Sequence, residues 1–391
     1  MKRTAIALLL ATGTALLTAA TPSPPDLILT DAKIWTANPH QPVAEAVATQ
    51  GERIIAIGRS AEILALAGPR TRVLSLKGKL VTPGFIDAAV QLIEGGMHLY
   101  QFHVGAAKNP VELRARVRDY AATLAPGRWI IATDWDDRNW PQKKQPTHET
   151  LDDITGDHPT VIVTLDGRLA VANALALRLA GIAKGLALPP DSGLYRDNKG
   201  EPTGLLIGSA IQLVERVIPP PCPEEVEDFV RAALRHAAEN GLTGALDLTA
   251  ATQYARTYRK LAEQGELTLR VTRQMTLKPR AGAAVPAFAS GWDIAPLDPL
   301  RRIQAALTGR KMNVEDALRA YTYGGAWAVG EDTEKGTLEP GKLADFVVLS
   351  EDILNLPADR IAAAQVLRTI VGGHVVYDRS TGYQPNPAPS I

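Results

Sequence analysis

Residues 80–87 read LVTPGFID and residues 344–350 read ADFVVLS. The first is an apolar run that closes on an acid, Asp87. The second is a β-branched run of one strand's length. Outward from residue 80 towards the N-terminus, residues 26–35, 44–49, 53–57 and 72–76 are further β-rich runs, punctuated by Gly51 and Gly58. Beyond residue 350 come 366–371 and 374–377, separated by Gly372-Gly373, which reads as a two-residue hairpin turn. Short β runs at both chain ends therefore flank a middle of different character. That layout predicts a small β-sandwich assembled from both ends, residues 21–80 with 337–391, and an inserted domain over 81–336.

The inserted middle alternates strand and helix patterns. Strand-like runs cover 129–133, closing on Asp134-Trp135-Asp136; 160–165, closing on Asp166-Gly167; 242–248, around Asp247; and 267–275. Helical spacing covers 111–124, 173–180 with Gly181 at its end, 224–240 with Gly241 at its end, and 314–321 with an acidic first turn. Alternation of this kind argues an α/β class with a mostly parallel sheet or (β/α) TIM-like barrel, whose polar residues gather after strand C-termini. About five strands are convincing where a closed barrel needs eight, so the barrel reads as incomplete.

Composition excludes several functions. The chain has 391 residues, enough for two or three domains. Lys plus Arg equals Asp plus Glu at 42 each, which argues against a nucleic-acid partner. A single cysteine, Cys222, excludes an internal disulfide and a Cys-rich metal site. It lies between prolines with no activating neighbour and reads as structural. Histidine is scarce, with seven residues. At the N-terminus, Lys2 and Arg3 precede an apolar run over 5–17 and the small residues Thr18, Ala19 and Ala20. This is the layout of a secretory signal peptide over residues 1–20, and it predicts a periplasmic or secreted protein. The run is short for a bilayer span, and no later segment reaches spanning length.

Several stretches resemble the amidohydrolase superfamily, and amidohydrolase family 3 in particular. LVTPGFID at 80–87 resembles the first barrel strand, with Gly95-Gly96 following in place. GRWIIATDWDDRNW at 127–140 resembles the family's G-W-D…W segment, and TLDGRLAVANALAL at 164–177 resembles its D-G-H…N-S…A-L segment. PTGLL at 202–206 also matches. The most specific run is 295–350, containing APLDPL, IQAALTGRKMNVEDALRAYT and KGTLEPGKLADFVVLS. The resemblance implies metal-dependent hydrolysis of amide or other non-peptide carbon–nitrogen bonds. A divalent metal such as zinc, held by His nitrogens and carboxylate or carbamate oxygens, would activate a water there.

The residues depart from that pattern where the chemistry sits. The family's His-X-His pair after the first strand is Ala89 and Gln91 here, one without a donor atom and one with only a neutral amide oxygen. Arg168 stands where the D-G-H segment has its His. Ser290-Gly291-Trp292-Asp293 stands for the family's Ser-Asp-Trp-Pro, so Gly291 replaces the Asp that takes a proton. Asp293 is the nearest substitute and the catalytic candidate, although two positions along a strand is about 7 Å. Residues 270–290, where the family supplies a bridging Lys and two His, hold no His and the single Lys278. No metal ligand is therefore assigned and no bound cofactor is expected. Gln91, Glu94 and His98 have the spacing of one helical face, which a solvated surface explains equally well. Asp166 and Asp247, at strand ends, read as loop caps. Asp134, Trp135, Asp136 and Trp292 are the substrate-binding candidates, for a small-molecule partner. The sequence thus predicts an amidohydrolase scaffold with impaired or absent catalysis. The alternatives are an active hydrolase with a non-standard metal site and a small-molecule-binding pseudoenzyme.

Overall fold

The computed structural model describes residues 23–136, 138, 140, 145–188, 191–249, 254–272, 285–292, 296–309 and 312–385. The N-terminal apolar run, Asp137, Lys278 and Asp293 lie outside the described residues.

The two runs quoted first lie side by side. The strand Phe346–Leu349 pairs antiparallel with Leu80–Pro83, from Phe346 opposite Pro83 to Leu349 opposite Leu80. They sit within a seven-stranded sheet that interleaves the chain ends. Its order is Gly382–Tyr383, His374–Asp378, Val366–Val371, Phe346–Leu349, Leu80–Pro83, Lys33–Trp35, Val43–Ala44. A four-stranded sheet, Arg53–Gly58, Ala46–Gln50, Leu27–Thr30 and Arg72–Ser75, shares a core with it. Leu27, Leu29 and Val47 from the smaller sheet pack with Ile34, Val81 and Phe346 from the larger. The 26–35 run serves both sheets because Asp31, at φ 53°, breaks it into two strands. Aspartate tolerates that left-handed conformation better than most residues. The hairpin turn at Gly372 and Gly373 has φ of 56° and 77°, the double positive φ of a type I′ turn.

The run 80–87 also carries the chain into the middle of the molecule. Gly84 ends one strand, and Phe85–Val90 begins a three-stranded parallel sheet with Leu242–Asp247 and Arg270–Thr272. A Cβ at Gly84 would lie 2.0 Å from the Thr243 hydroxyl, so the crossing needs glycine. A second sheet has five strands and is mixed. Ile130–Trp135 and Thr160–Thr164 are parallel, whereas Leu169–Ala172, Pro202–Gly208 and Ser192–Arg196 add antiparallel. The mostly parallel expectation thus holds for one sheet and part of the other. The reason is connection length: the loop between Thr164 and Leu169 is far too short for the dozen or more residues of a parallel crossover.

The helices follow their sequence signals closely. Pro110–Ala121, Ala174–Leu179 and Val314–Tyr321 are each capped by an Asn side chain, from Asn109, Asn173 and Asn313. The longest, Pro223–Glu239, buries Val226, Val230, Ala233, Leu234 and Ala237 on one face. Against it lies Leu92–Tyr100, at a separation set by Gly96, whose Cβ would meet the Phe229 carbonyl oxygen at 2.0 Å. Among the described residues no helix is long and apolar enough to cross a membrane.

Candidate functional site

The C-terminal end of the parallel sheet is built around two buried carboxylates. Asp87 is 1% exposed and is the third of the six residues of Phe85–Val90, so the strand runs on past the acid that closes the 80–87 run. Its Oδ1 accepts from the Ala89 amide at 3.1 Å and from the Ser290 amide at 2.9 Å. Burial pushes its pKa up, against the lowering effect of those amides and of Arg302. Asp247, also 1% exposed, accepts on Oδ1 from the Leu92 amide at 3.2 Å and from the Thr249 amide and hydroxyl. Its Oδ2 accepts from the Tyr258 hydroxyl at 2.5 Å. Asp247 ties neighbouring segments to its strand end, the role read for it from the sequence, and Asp87 ties Ser290 to the middle of its strand.

Residues 288–292 run beside the same strand. Ala88 donates to the Phe288 carbonyl at 2.8 Å, Gly291 to the Ala89 carbonyl at 2.8 Å, and Gln91 to the Trp292 carbonyl at 3.1 Å. The structure therefore brings Ala89, Gln91 and Gly291 together, three of the four positions where the sequence departs from its family pattern. Trp292 is 7% exposed and stacks on His236 with ring centroids 5.2 Å apart, beside Gly95. Burial lowers the His236 pKa. Gln91 is the N-cap of Leu92–Tyr100 rather than part of it, which leaves Glu94 and His98 within the helix. Among the described residues, no group of three or more His, Cys, Asp or Glu side chains is placed to hold a metal ion.

A separate cleft of about 420 Å³ opens where Ile130–Trp135 and Thr160–Thr164 end. Trp135 and Asp136 line it together with Arg138, Asp166 and Arg168, and Leu165, Leu169 and Ile207 supply apolar surface. Two short ion pairs face it. Arg138 donates from Nε to Asp136 Oδ1 and from Nη2 to Oδ2, both at 2.8 Å. Arg168 donates from Nε to Asp166 Oδ2 at 2.8 Å. Hydrogen bonds from these arginines hold the Asp136 and Asp166 carboxyls down at about 2.

The four substrate-binding candidates thus separate. Trp135 and Asp136 share the cleft, and Trp292 belongs to the parallel-sheet end. Asp134 is engaged elsewhere. Its Oδ1 accepts from the Val104 amide at 2.9 Å, and its Oδ2 accepts from the Gly105 amide at 3.0 Å and lies 3.1 Å from His103 Nδ1. Arg138 and Arg168 were not among the binding candidates. Their signal was local: each lies two residues after the aspartate that orients it.

A family model described as the amidohydrolase family matches residues 72–291 and 280–377. The chain belongs to the amidohydrolase family. Relatives include the protein LONG AFTER FAR-RED 3 of Arabidopsis thaliana, 31% identical over 223 residues, which are 57% of this chain and 38% of that one. An N-substituted formamide deformylase of Arthrobacter pascens is 28% identical over 252 residues, 62% of this chain and 46% of that one. The chain thus spans less than half the length of either relative. Two solved structures, uncharacterized metal-dependent hydrolases of Pyrococcus horikoshii OT3 and Pyrococcus furiosus, align with TM-scores of 0.66 and 0.67 at 17% and 18% identity. They cover 86% and 84% of this chain and 99% and 100% of their own. That likeness is one of fold, and the amidohydrolase family member has the mixed α/β architecture of those hydrolases.

Proposed function

We propose that this amidohydrolase-family chain has impaired or absent hydrolysis and retains a small-molecule binding role. The observation that carries the reading is the meeting of Ala89, Gln91 and Gly291 at one sheet end. A divalent metal at that end of a hydrolase would supply an activated water, and it needs three protein ligands beside an open position. A methyl group, a neutral amide and a hydrogen atom do not supply them. The neighbouring carboxylates of Asp87 and Asp247 are already occupied by amide and hydroxyl donors. Among the described residues the donor set does not fit the metal, and no step is routed through one.

The domain reading accords with this. We assign residues 21–80 and 337–391 to one composite β-sandwich domain, a reading supported by the pairing of Phe346–Leu349 with Leu80–Pro83. We assign residues 81–336 to a shortened (β/α) barrel domain, a reading supported by the parallel pairings around Leu242–Asp247. The charged, apolar and small-residue blocks at the N-terminus support export with cleavage near Ala20.

Metal analysis tests the proposal. After dialysis of the purified chain against a weak chelator, elemental analysis is expected to find less than one zinc, manganese or cobalt per chain. Hydrolysis of simple amides with added metal is expected to stay at background. A stoichiometry of one or two with metal-dependent turnover would establish the second reading, an active hydrolase with a non-standard site. In that reading Asp293 carries the proton, and Asp293→Asn abolishes the turnover.

A further inference from the structure

We infer that the cleft between Asp136 and Arg168 binds a small monocarboxylate with an apolar tail. The carboxylate meets the outer edge of the Arg168 guanidinium, and the tail lies on Leu165, Leu169 and Ile207. The inference stands whether or not the chain hydrolyses anything, because it rests on a cleft separate from the parallel-sheet end.

The charges in the cleft are balanced in number but not in remaining capacity. Asp166 Oδ1 accepts from the Thr164 hydroxyl at 2.7 Å and from the Arg168 amide at 3.1 Å. Its Oδ2 takes Nε and Nη2 of Arg168 at 2.8 and 2.7 Å. Asp136 is engaged in the same way by the Arg138 amide and side chain. The acids have little left to offer a cationic ligand. Arg168 still has capacity. Its side chain is 82% exposed, and among the described residues no acceptor meets its Nη1. A guanidinium carries five donors in a planar fork, so a group held along one edge presents the other to a ligand carboxylate. Asp166 fixes that orientation in advance, which lowers the ordering cost of binding.

The rest of the cleft selects the ligand. Leu165 is 63% exposed beside the guanidinium, and Leu169 and Ile207 continue the apolar surface. A volume of about 420 Å³ suits a small organic molecule. A second negative charge would lie near Asp136 and Asp166, which disfavours dianions. A monoanion with a hydrocarbon tail satisfies both conditions.

The test uses the full chain and three probes of one length: hexanoate, hexanamide and hexylamine, titrated calorimetrically at low salt. Hexanoate is expected to bind at least about tenfold more tightly than hexanamide, the range of a charge-assisted hydrogen bond. Hexylamine is expected not to bind. Arg168→Ala is expected to weaken hexanoate about tenfold or more while leaving hexanamide unchanged. Arg168 is highly exposed, so a matched thermal midpoint verifies that the variant is folded. Equal affinity for hexanoate and hexanamide, an unaffected Arg168→Ala, or no binding of hexanoate would each overturn the inference. The metal analysis above is independent of every one of these outcomes.

Discussion

Asp87 shows how little an acid that closes an apolar run reveals by its position alone. Its oxygens hold the Ala89 and Ser290 amides, and burial pushes the pKa of its carboxyl up. A raised folded-state pKa means that the native chain binds the proton more tightly than the unfolded chain. The stabilising contribution is then full below the ordinary value of 3.8 and is lost as pH rises through the folded pKa. Asp87→Asn keeps an acceptor for both amides and removes the charge. Its stability relative to the native chain is expected to improve as pH rises from 4 to 7, read from urea midpoints at each pH. A pH-independent difference would contradict that linkage. Asp136 and Asp166 have the opposite sign: both carboxyls sit near 2, so their arginine clamps persist at pH 4 and are lost only as pH falls towards that value. The capping role of Asp247 was legible because it closes a strand. The engagement of Asp134 was not, since His103 lies thirty-one residues away and only tertiary folding brings it near.

At the scale of elements, local signals were read well and pairings less so. Val314–Tyr321 was delimited by its acidic first turn, and Gly372-Gly373 by hairpin chemistry. The antiparallel partners Leu169–Ala172, Ser192–Arg196 and Pro202–Gly208 were missed, because no periodicity in a strand states the direction of its neighbour. The helix Leu92–Tyr100 owes its place to a contact that sequence spacing does not reveal. Gly96 sits against the backbone of Phe229, where an added Cβ would lie 2.0 Å from a carbonyl oxygen. The helix cannot yield without moving away from Pro223–Glu239. Gly96→Ala is therefore expected to cost about 1–3 kcal/mol or more in chemical unfolding, despite alanine's better helix propensity. A gain in stability would show that the two helices separate freely.

At the scale of the molecule, the question is whether the chain-end sheets and the parallel sheet unfold as one. Two features argue that they do. The largest buried cluster draws on Phe85, Val230 and Leu242 from the middle of the chain and on Leu349, Val371 and Tyr377 from its C-terminal strands. Across the junction, Arg270 of the parallel sheet reaches Asp345 through Nε at 2.9 Å and Nη2 at 3.2 Å, and Glu52 through Nη2 at 3.2 Å. The Arg270 and Asp345 side chains are only 12% and 5% exposed, so this is a buried pair rather than a surface one. Removing the arginine leaves Asp345 in the interior with, among the described residues, the Gly372 amide as its remaining donor. Breaking a buried pair from one side costs about 3–5 kcal/mol, mostly the penalty of the orphaned charge. Arg270→Ala is thus expected to lower stability by about that amount. The native chain is expected to unfold in one transition, coincident by far-ultraviolet circular dichroism and by tryptophan fluorescence. Fluorescence reports on all three regions: Trp35 lies in the seven-stranded sheet, Trp135 in the mixed sheet, and Trp292 beside the parallel one. Two separated transitions in the native chain would mean that the junction carries no cooperativity. A small effect of Arg270→Ala within a single transition would place that cooperativity in the shared apolar core alone.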